Sequence, residues 1–413
     1  MRFEVRVGKP AAGGGFVGRS PEGVVVFVRH ALPGELVIAE VTEENATFLR
    51  ADAIEILEAS PDRVDVRCMV AGPGGCGGCD YQHVALEAQR RLKGELVVEQ
   101  LQRIAKLDLP VEVEEAAPGD DGWSWRTRVR LTMNEEGSPS FHRHRSDILI
   151  PVTSCDIATE EVGHSGVFEG RWGGVASIEV FGHPDANATV TSFTTGPNGF
   201  SHTPELTDVG IVVDGTILQP PGRVKVAVGN RGYDVAPESF FQVHRSAATT
   251  LSQVVLQAAK LSKGDTVADL YSGVGLFAAQ LGQRVGSDGR VIAIERSTSA
   301  TGDARRNLKD LPQVEVVTGP VSEKSIAANL PGVDVVVLDP SREGAGKAVM
   351  TALCSLTPRP RRIVSVSCDA ATFARDVKVA LDLGWRLSSV RAFDLFPQTE
   401  HVELVGVLEP QRR

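Results

Sequence analysis

Val267-Ala268-Asp269-Leu270-Tyr271-Ser272-Gly273-Val274-Gly275-Leu276-Phe277-Ala278-Ala279 decides the fold. A short apolar run ends on an acidic residue, turns through two glycines and opens onto small and apolar residues. That is a strand, a tight turn and a helix. Glycines at 273 and 275 let a ligand approach the backbone at a helix N-terminus. Alone the turn is a weak signal. Gly273-x-Gly275-x-x-Ala278 also fits the dinucleotide fingerprint, and a plain tight turn competes with both.

Towards the C-terminus the pattern repeats. Val291 to Ile294, Val314 to Val317, Val333 to Leu338 and Ile363 to Val366 read as strands, and Thr301 to Leu308 and Thr372 to Leu381 as helices. Short β-rich runs alternating with helices predict an open, mostly parallel sheet with helices on both faces. Ligands of such sheets bind beyond the carboxyl ends of the strands. At those ends stand Glu295, placed to accept from ribose hydroxyls, and Asp339-Pro340-Ser341-Arg342. Amino-group methyltransferases usually carry Pro-Pro and an aromatic residue after that acid, so Arg342 argues against amino methylation. After the fifth strand comes Cys368, a nucleophile if deprotonated, although packing is the commoner fate of a lone cysteine. Cys354 reads as a helical core residue. In Phe396-Pro397-Gln398-Thr399-Glu400-His401-Val402-Glu403, Glu403 is a candidate base and His401 a second polar group; a solvated surface is the plain alternative.

Towards the N-terminus the character changes near Pro237. Residues 1 to 59 look all-β, a small barrel-like module with strands at Val24 to Val28 and Leu36 to Val41 and turns at Gly13-Gly14-Gly15 and Pro33-Gly34. A glycine- and cysteine-rich segment spans Cys68 to Cys79, and Val84 to Lys106 reads as one long helix. From 123 to 232 short strands and loops dominate, with 182 to 205 a loop-rich surface. Period-two alternation would put Arg126, Arg128 and Arg130 on one strand face, a candidate basic face for RNA beside the N-terminal module, with a solvated strand face as the plain reading; His142-Arg143-His144-Arg145 is a second basic stretch.

The chain has 413 residues, enough for two or three domains, and its 42% hydrophobic and 23% charged content is ordinary for globular proteins. A net charge of −10 argues mildly against nonspecific coating of nucleic acid. No apolar run reaches the ~18–20 residues that cross a bilayer, and Met1 to Pro10 lacks a signal-peptide core, so a cytoplasmic protein without membrane contact is expected. Six cysteines in such a chain predict metal ligands or catalytic groups rather than disulfides. Four such thiolates would fit either a 4Fe–4S cluster or a tetrahedral zinc.

These motifs together resemble the RNA uridine-5-methyltransferase family, whose larger members carry an N-terminal TRAM domain and an iron–sulfur cluster. The resemblance runs along nearly the whole chain. It implies an α/β fold with a Rossmann-like class I methyltransferase domain at 236–413, a TRAM β-barrel (OB-like) at 1–59 that binds RNA, and a β-rich central domain at 60–235 carrying the cluster. Val28 to Glu35 looks like TRAM, and Cys76-Gly77-Gly78-Cys79 with Tyr81-Gln82-His83 looks like the cluster motif. Cys68 and Cys155 fall on the other two ligand positions, which favours 4Fe–4S. Gln242 in Phe241-Gln242-Val243, Tyr271, Gly273, Glu295 and Asp339 fall at S-adenosylmethionine contacts. Cys368, followed by Ala371-Thr372-Phe373-Ala374-Arg375-Asp376, looks like the nucleophile, and Glu403 falls on the general base. The implied reaction moves a methyl group from S-adenosylmethionine to carbon 5 of a uridine in rRNA or tRNA through a covalent Cys–uracil intermediate, in a monomer. Three positions depart from the family pattern: Asp369-Ala370 replaces Asn-Pro, Leu276 replaces an asparagine, and Gly319-Pro320 replaces an acidic or amide residue.

Two other classes compete. A metal-containing, nicotinamide-dependent oxidoreductase would use Gly273, Gly275 and Glu295 but leaves Cys368, Asp339 and Glu403 without roles. A non-catalytic RNA-binding or RNA-folding protein of methyltransferase shape would use the N-terminal module and Arg126, Arg128 and Arg130, yet needs neither Cys368 nor Glu403. Cytosine-5 methylation shares the cysteine chemistry, but the residues around Cys368 look like the uridine family.

Overall fold

The computed structural model describes residues 1–197, 199–200 and 204–411. Its largest sheet has eight strands in the order Val314–Thr318, Arg290–Glu295, Thr266–Leu270, Val335–Leu338, Arg362–Ser367, Glu403–Pro410, Trp385–Asp394, Val113–Glu115. The first five are parallel, and Glu403–Pro410 runs antiparallel to both its neighbours. Val267, Ile292, Val336 and Val364 are buried, because helices cover both faces. This is the α/β sheet the alternation predicts. Chain order reverses between Thr266–Leu270 and Val335–Leu338, so the crevice for a ligand lies beyond their C-terminal ends.

Helix boundaries follow capping chemistry. The helix expected at Thr301 starts earlier, as Thr298–Asn307, because the Ser297 hydroxyl accepts the Ala300 N–H. Asp369 likewise caps Ala370–Asp382 through the Thr372 N–H at 2.8 Å. The long helix expected to Lys106 is instead Leu86–Gln100 followed by a π turn, Leu101–Ala105, and Lys106 ends it in a left-handed conformation at φ 59°.

The N-terminal module is a six-stranded sheet, ordered Arg2–Arg6, Leu36–Glu44, Phe48–Glu58, Val25–Arg29, Gly15–Arg19, Pro10–Ala11. Its core of Val5, Phe16, Val26, Val28 and Val37 closes on Tyr81, Ala88 and Leu92. The central sheet has seven strands from Arg128 to Gln219. The stretch 182–205 contains one of them, Thr189–Thr195, with Val190 and Phe193 buried, where a loop surface was expected. β-Branched Thr and Val fit a pleat as well as they fit a polar loop. Residues 198 and 201–203 of that stretch lie outside the described residues.

Sheet membership crosses the expected 60–235 segment. Val113–Glu115 extends the catalytic sheet beside Trp385–Asp394, and the hairpin Val224–Val228/Arg231–Val235 packs into the catalytic core. Helix Leu86–Gln100 buries Ala88 and Leu92 against the N-terminal module and Val97 against the catalytic core, so it couples the two. No helix among the described residues is long and apolar enough to cross a membrane.

Candidate active site

The glycine turn sits at the end of strand Thr266–Leu270. Gly275 has φ +87°, and a Cβ there would lie 2.8 Å from Leu308 Cδ1, so both backbone and packing require glycine. Above Gly273 nothing lies within 4 Å of a Cβ position, which leaves the turn open to a ligand. Tyr271 precedes it in a left-handed conformation at φ 62°. The Gly273 N–H donates to Glu295 Oε2 at 3.1 Å and the Ser297 N–H to Glu295 Oε1 at 2.7 Å. Glu295, the last residue of its strand, is thereby aimed at the turn with its remaining lone pairs free. The Ser272 hydroxyl is buried without a partner. Fully buried Asp269 has no donor in full hydrogen-bond geometry. Burial pushes its carboxyl up to about 8, and the Ala278 N–H relieves this only in part.

Across the crevice, Gln242 Nε2 donates to Asp339 Oδ2 at 3.3 Å, joining two of the sequence-predicted cofactor positions. Cys368 follows strand Arg362–Ser367, and Glu403 opens the antiparallel strand paired with it through Ser367↔Leu404. That pairing brings residues 35 positions apart in sequence to one mouth. Glu403 is 4% exposed, so it is not the solvated residue of the plain reading. Burial raises its carboxyl well above the usual range, and the Asp339 charge adds to it; Asp339 is raised too, chiefly by burial. Burial also pushes the Cys368 thiol up to about 12, with the carboxylates of Glu403 and Asp339 acting in the same direction and the Arg342 guanidinium against them. Arg342 Nη2 stands 3.3 Å from His401 Nε2, and burial lowers that imidazole to about 4, so it is neutral at ordinary pH. Cys354 is buried at the end of helix Gly346–Cys354, as its pattern suggests. The crevice thus holds a thiol, two carboxyls of raised proton affinity, one guanidinium and an open glycine turn.

Residues 2–54 match the family model for the TRAM domain, and residues 224–322 match that for protein-L-isoaspartate(D-aspartate) O-methyltransferase. Over 99% of its length the chain is 42% identical to a protein of Streptomyces avermitilis named an uncharacterized RNA methyltransferase, covering 98% of that protein. A Streptomyces coelicolor protein of the same description is 43% identical over 99% of this chain and 93% of its own. The chain belongs to the RNA methyltransferases. In structure it is similar to the tRNA (uracil-54, C5)-methyltransferase of Pyrococcus abyssi, solved in complex with S-adenosyl-L-homocysteine. The TM-score is 0.73, with 23% identity and coverage of 99% of this chain and 100% of that one. At that identity the likeness shows the fold, a class I methyltransferase domain behind a TRAM domain.

The RNA methyltransferase has a second cavity, of about 340 Å³, lined by Cys68, Cys76, Cys79 and Cys155 together with Arg126 and Arg130. All four cysteines are free. Burial raises the Cys76 and Cys79 thiols and pushes Cys155 up to about 11. The sequence-predicted ligand set is therefore gathered in one place. Among the described residues, however, no group of three or more His, Cys, Asp or Glu side chains is arranged to hold a metal ion as it stands.

The three arginines of the basic stretch are unequally placed. Alternation does bury Trp125, Thr127 and Val129 and turns the three arginines the other way. Arg128, however, is engaged: its Nε pairs with Glu179 at 3.2 Å, Nη1 donates to Ser239 O at 2.7 Å, and its guanidinium lies 4.3 Å from the Phe181 ring centre. Alternation assigns a face, and Arg128 is covered on it while Arg130 is exposed. The freer cations are in the second basic stretch. A cavity of about 410 Å³ between the TRAM domain and the loop 143–146 is lined by Phe27, Arg29, Arg50, Arg143, His144 and Arg145. Arg29 pairs with Asp80 at 3.0 Å and Arg50 with Glu43 at 3.2 Å, whereas the side chains of Arg143 and Arg145 make no ion pair or hydrogen bond among the described residues.

Proposed function

We propose that this RNA methyltransferase transfers a methyl group from S-adenosylmethionine to carbon 5 of a uridine in RNA, with Cys368 as nucleophile and Glu403 as base. The observation that carries the reading is the meeting of Cys368, Glu403, Asp339 and Arg342 at one mouth of the sheet that also carries the open Gly273 turn. A nicotinamide-dependent oxidoreductase has no use for that thiol and carboxyl pair, and a binding scaffold has none either.

The residues present fit the cofactor. The turn is open, the Glu295 carboxylate is aimed at it, and the buried Asp269 carboxyl and Ser272 hydroxyl lack full hydrogen-bond partners. When bound, S-adenosylmethionine supplies an electrophilic sulfonium methyl group. Gln242, Tyr271, Gly273, Glu295 and Asp339 would hold it, with Glu295 at the ribose hydroxyls. Glu295→Ala removes charge-assisted hydrogen bonds worth roughly 1.5–3 kcal/mol, about a ten- to hundredfold loss of affinity. Calorimetry with S-adenosylmethionine checks this, and unchanged affinity would displace Glu295 from the site.

The chain's own part is covalent and acid–base chemistry. Carbon 5 of uracil is a weak nucleophile. Addition of the Cys368 thiolate to carbon 6 makes the ring an enolate and carbon 5 nucleophilic. Once carbon 5 carries the methyl group, Glu403 takes its remaining proton, the 5,6 double bond reforms and the thiolate leaves. A raised carboxyl is the better base for that step. The free thiol is protonated at neutral pH, so its proton is lost within the substrate complex, beside Arg342. The test is transfer of labelled methyl from S-adenosylmethionine to RNA by the purified protein; transfer to protein alone would favour a carboxyl methyltransferase.

RNA is proposed to cross the TRAM domain at the 410 Å³ cavity, where Arg143 and Arg145 are free to meet phosphates and Phe27 offers an aromatic surface. Arg143→Glu with Arg145→Glu should weaken RNA binding at least about tenfold and lower the slope of log affinity against log salt by about 2. S-adenosylmethionine affinity should not change. Anisotropy titrations over a salt series check it; an unchanged slope would move the RNA elsewhere.

The four gathered thiols are proposed to hold a 4Fe–4S cluster of structural role. Soft thiolate donors suit iron–sulfur or zinc, and the likeness of the cysteine motif favours iron. Protein purified without oxygen should carry about four irons and acid-labile sulfide per chain. Zinc without iron would reject the cluster.

A further inference from the structure

Glu400 lies three residues before Glu403 and has no part in the chemistry above. Its Oε2 accepts the N–H groups of Gly13 and Gly14, each at 2.6 Å. Both glycines belong to the turn between strands Pro10–Ala11 and Gly15–Arg19 of the TRAM domain. Among the described residues these are the only hydrogen bonds between residues 1–58 and the segment 394–403.

The turn is shaped for this contact. Gly13 and Gly14 have φ of +95° and +72°, and their two N–H groups converge on one oxygen, a small anion cradle. A Cβ on Gly14 would lie 2.7 Å from the Asp80 carboxyl carbon, so a larger residue displaces the cradle. Burial, with Asp80 next in weight, pushes the Glu400 carboxyl up to about 7, so holding a carboxylate here costs free energy that a neutral contact would not.

The rest of the segment is held by helix Leu86–Gln100 and, at Gln398, by the Tyr81 N–H and the Gly122 carbonyl. The Lys93 ammonium pairs with Asp394 at 2.5 Å and donates to Phe396 O at 3.0 Å. Gln89 bonds Gln398 through both its amide atoms. These anchors stop at Gln398. Beyond it, Glu400 is held from the TRAM side, the His401 N–H donates to Thr399 Oγ1 while its ring meets Arg342, and Glu403 enters the sheet opposite Phe393.

We propose that Glu400 is a positioning residue through which the TRAM domain, the element that receives RNA, sets the alignment of Glu403. The proposal rests on the reading of Glu403 as base. Glu400 touches no reacting atom; it acts through three residues of backbone.

The test uses the full chain with its RNA substrate and S-adenosylmethionine. Glu400→Ala should lower kcat about ten- to hundredfold, the scale of a sub-ångström to ångström misplacement of a catalytic group. KM for RNA should change less than about threefold, because no RNA contact is removed. The fraction of protein in a denaturant-stable RNA adduct should rise, since loss of the carbon 5 proton is the slowed step. Glu400→Gln keeps an acceptor oxygen and should recover most of the turnover. Gly14→Ala should reproduce the Glu400→Ala phenotype with Glu400 present, and it carries the test if Glu400→Ala fails to fold. Turnover and adduct level at the wild-type values in Glu400→Ala would overturn the proposal. So would a fall in kcat with a matching rise in KM and no adduct, the pattern of general loosening. If wild-type protein gives neither methylated uridine nor adduct, the base assignment fails first and this inference with it.

Discussion

Cys368→Ala is expected to bind S-adenosylmethionine and RNA within about twofold of wild type and to lose at least about 10⁴-fold in methyl transfer, the scale seen when a covalent nucleophile is removed. The proposed mechanism gives the thiol no role in binding, and alanine removes only the sulfur of a half-buried side chain. Its loss leaves carbon 5 without the enolate that makes it reactive. The variant should therefore form no denaturant-stable complex with RNA under any condition. Single-turnover transfer of labelled methyl, with a denaturing gel of the same mixture, measures both. Turnover near wild type would remove the covalent step from the mechanism altogether.

Glu403→Gln is the contrasting case. The amide keeps the size of a side chain that is 4% exposed but cannot accept the carbon 5 proton. Attack by Cys368 and methylation of carbon 5 should proceed, and the reaction should then stall with the methylated ring still bonded to sulfur. Steady-state turnover should fall about 10²–10⁴-fold, the usual contribution of a general base. Unlike Cys368→Ala, this variant should accumulate an adduct that survives denaturant and carries the labelled methyl. Replacing the carboxyl also removes a negative charge that helps raise the thiol, so attack should be no slower than in wild type. An inactive variant with no adduct would give proton removal to another group, Asp339 being nearest in character. In the proposed mechanism Cys368 and Glu403 both act deprotonated, and burial raises both. Wild-type turnover should accordingly fall as pH is lowered, and the adduct should form more slowly rather than build up.

The catalytic half was legible because its information is local. Val267 to Leu270, Val291 to Ile294 and Ile363 to Val366 are mostly apolar and buried on both faces, as strands of a covered parallel sheet are, and the residues after them fall at the strand ends. The four cysteines were legible as a set and do line one cavity. What the pattern hid is pairing between distant segments. Val113–Glu115 is three residues long and joins a strand some 280 positions away, so no periodicity announces it. Arg128 alternates as an exposed residue should, yet Glu179 and Phe181 on the neighbouring strand cover it. Lys93 is a further instance, a lysine fully buried inside a helix because Asp394 and the Phe396 carbonyl face it. Glu400 was visible only as part of a polar run. Its significance depends on two glycine N–H groups nearly four hundred residues earlier in the chain.

One measurement tests the central claim most directly. Purified protein is incubated with RNA from cells lacking its gene and with S-adenosylmethionine labelled in the methyl group, and the RNA is then digested to nucleosides and separated. The account predicts that the label is found in 5-methyluridine, and that Cys368→Ala leaves it unlabelled. Label in 5-methylcytidine, in a base methylated on nitrogen, or in base-labile esters of protein would contradict it.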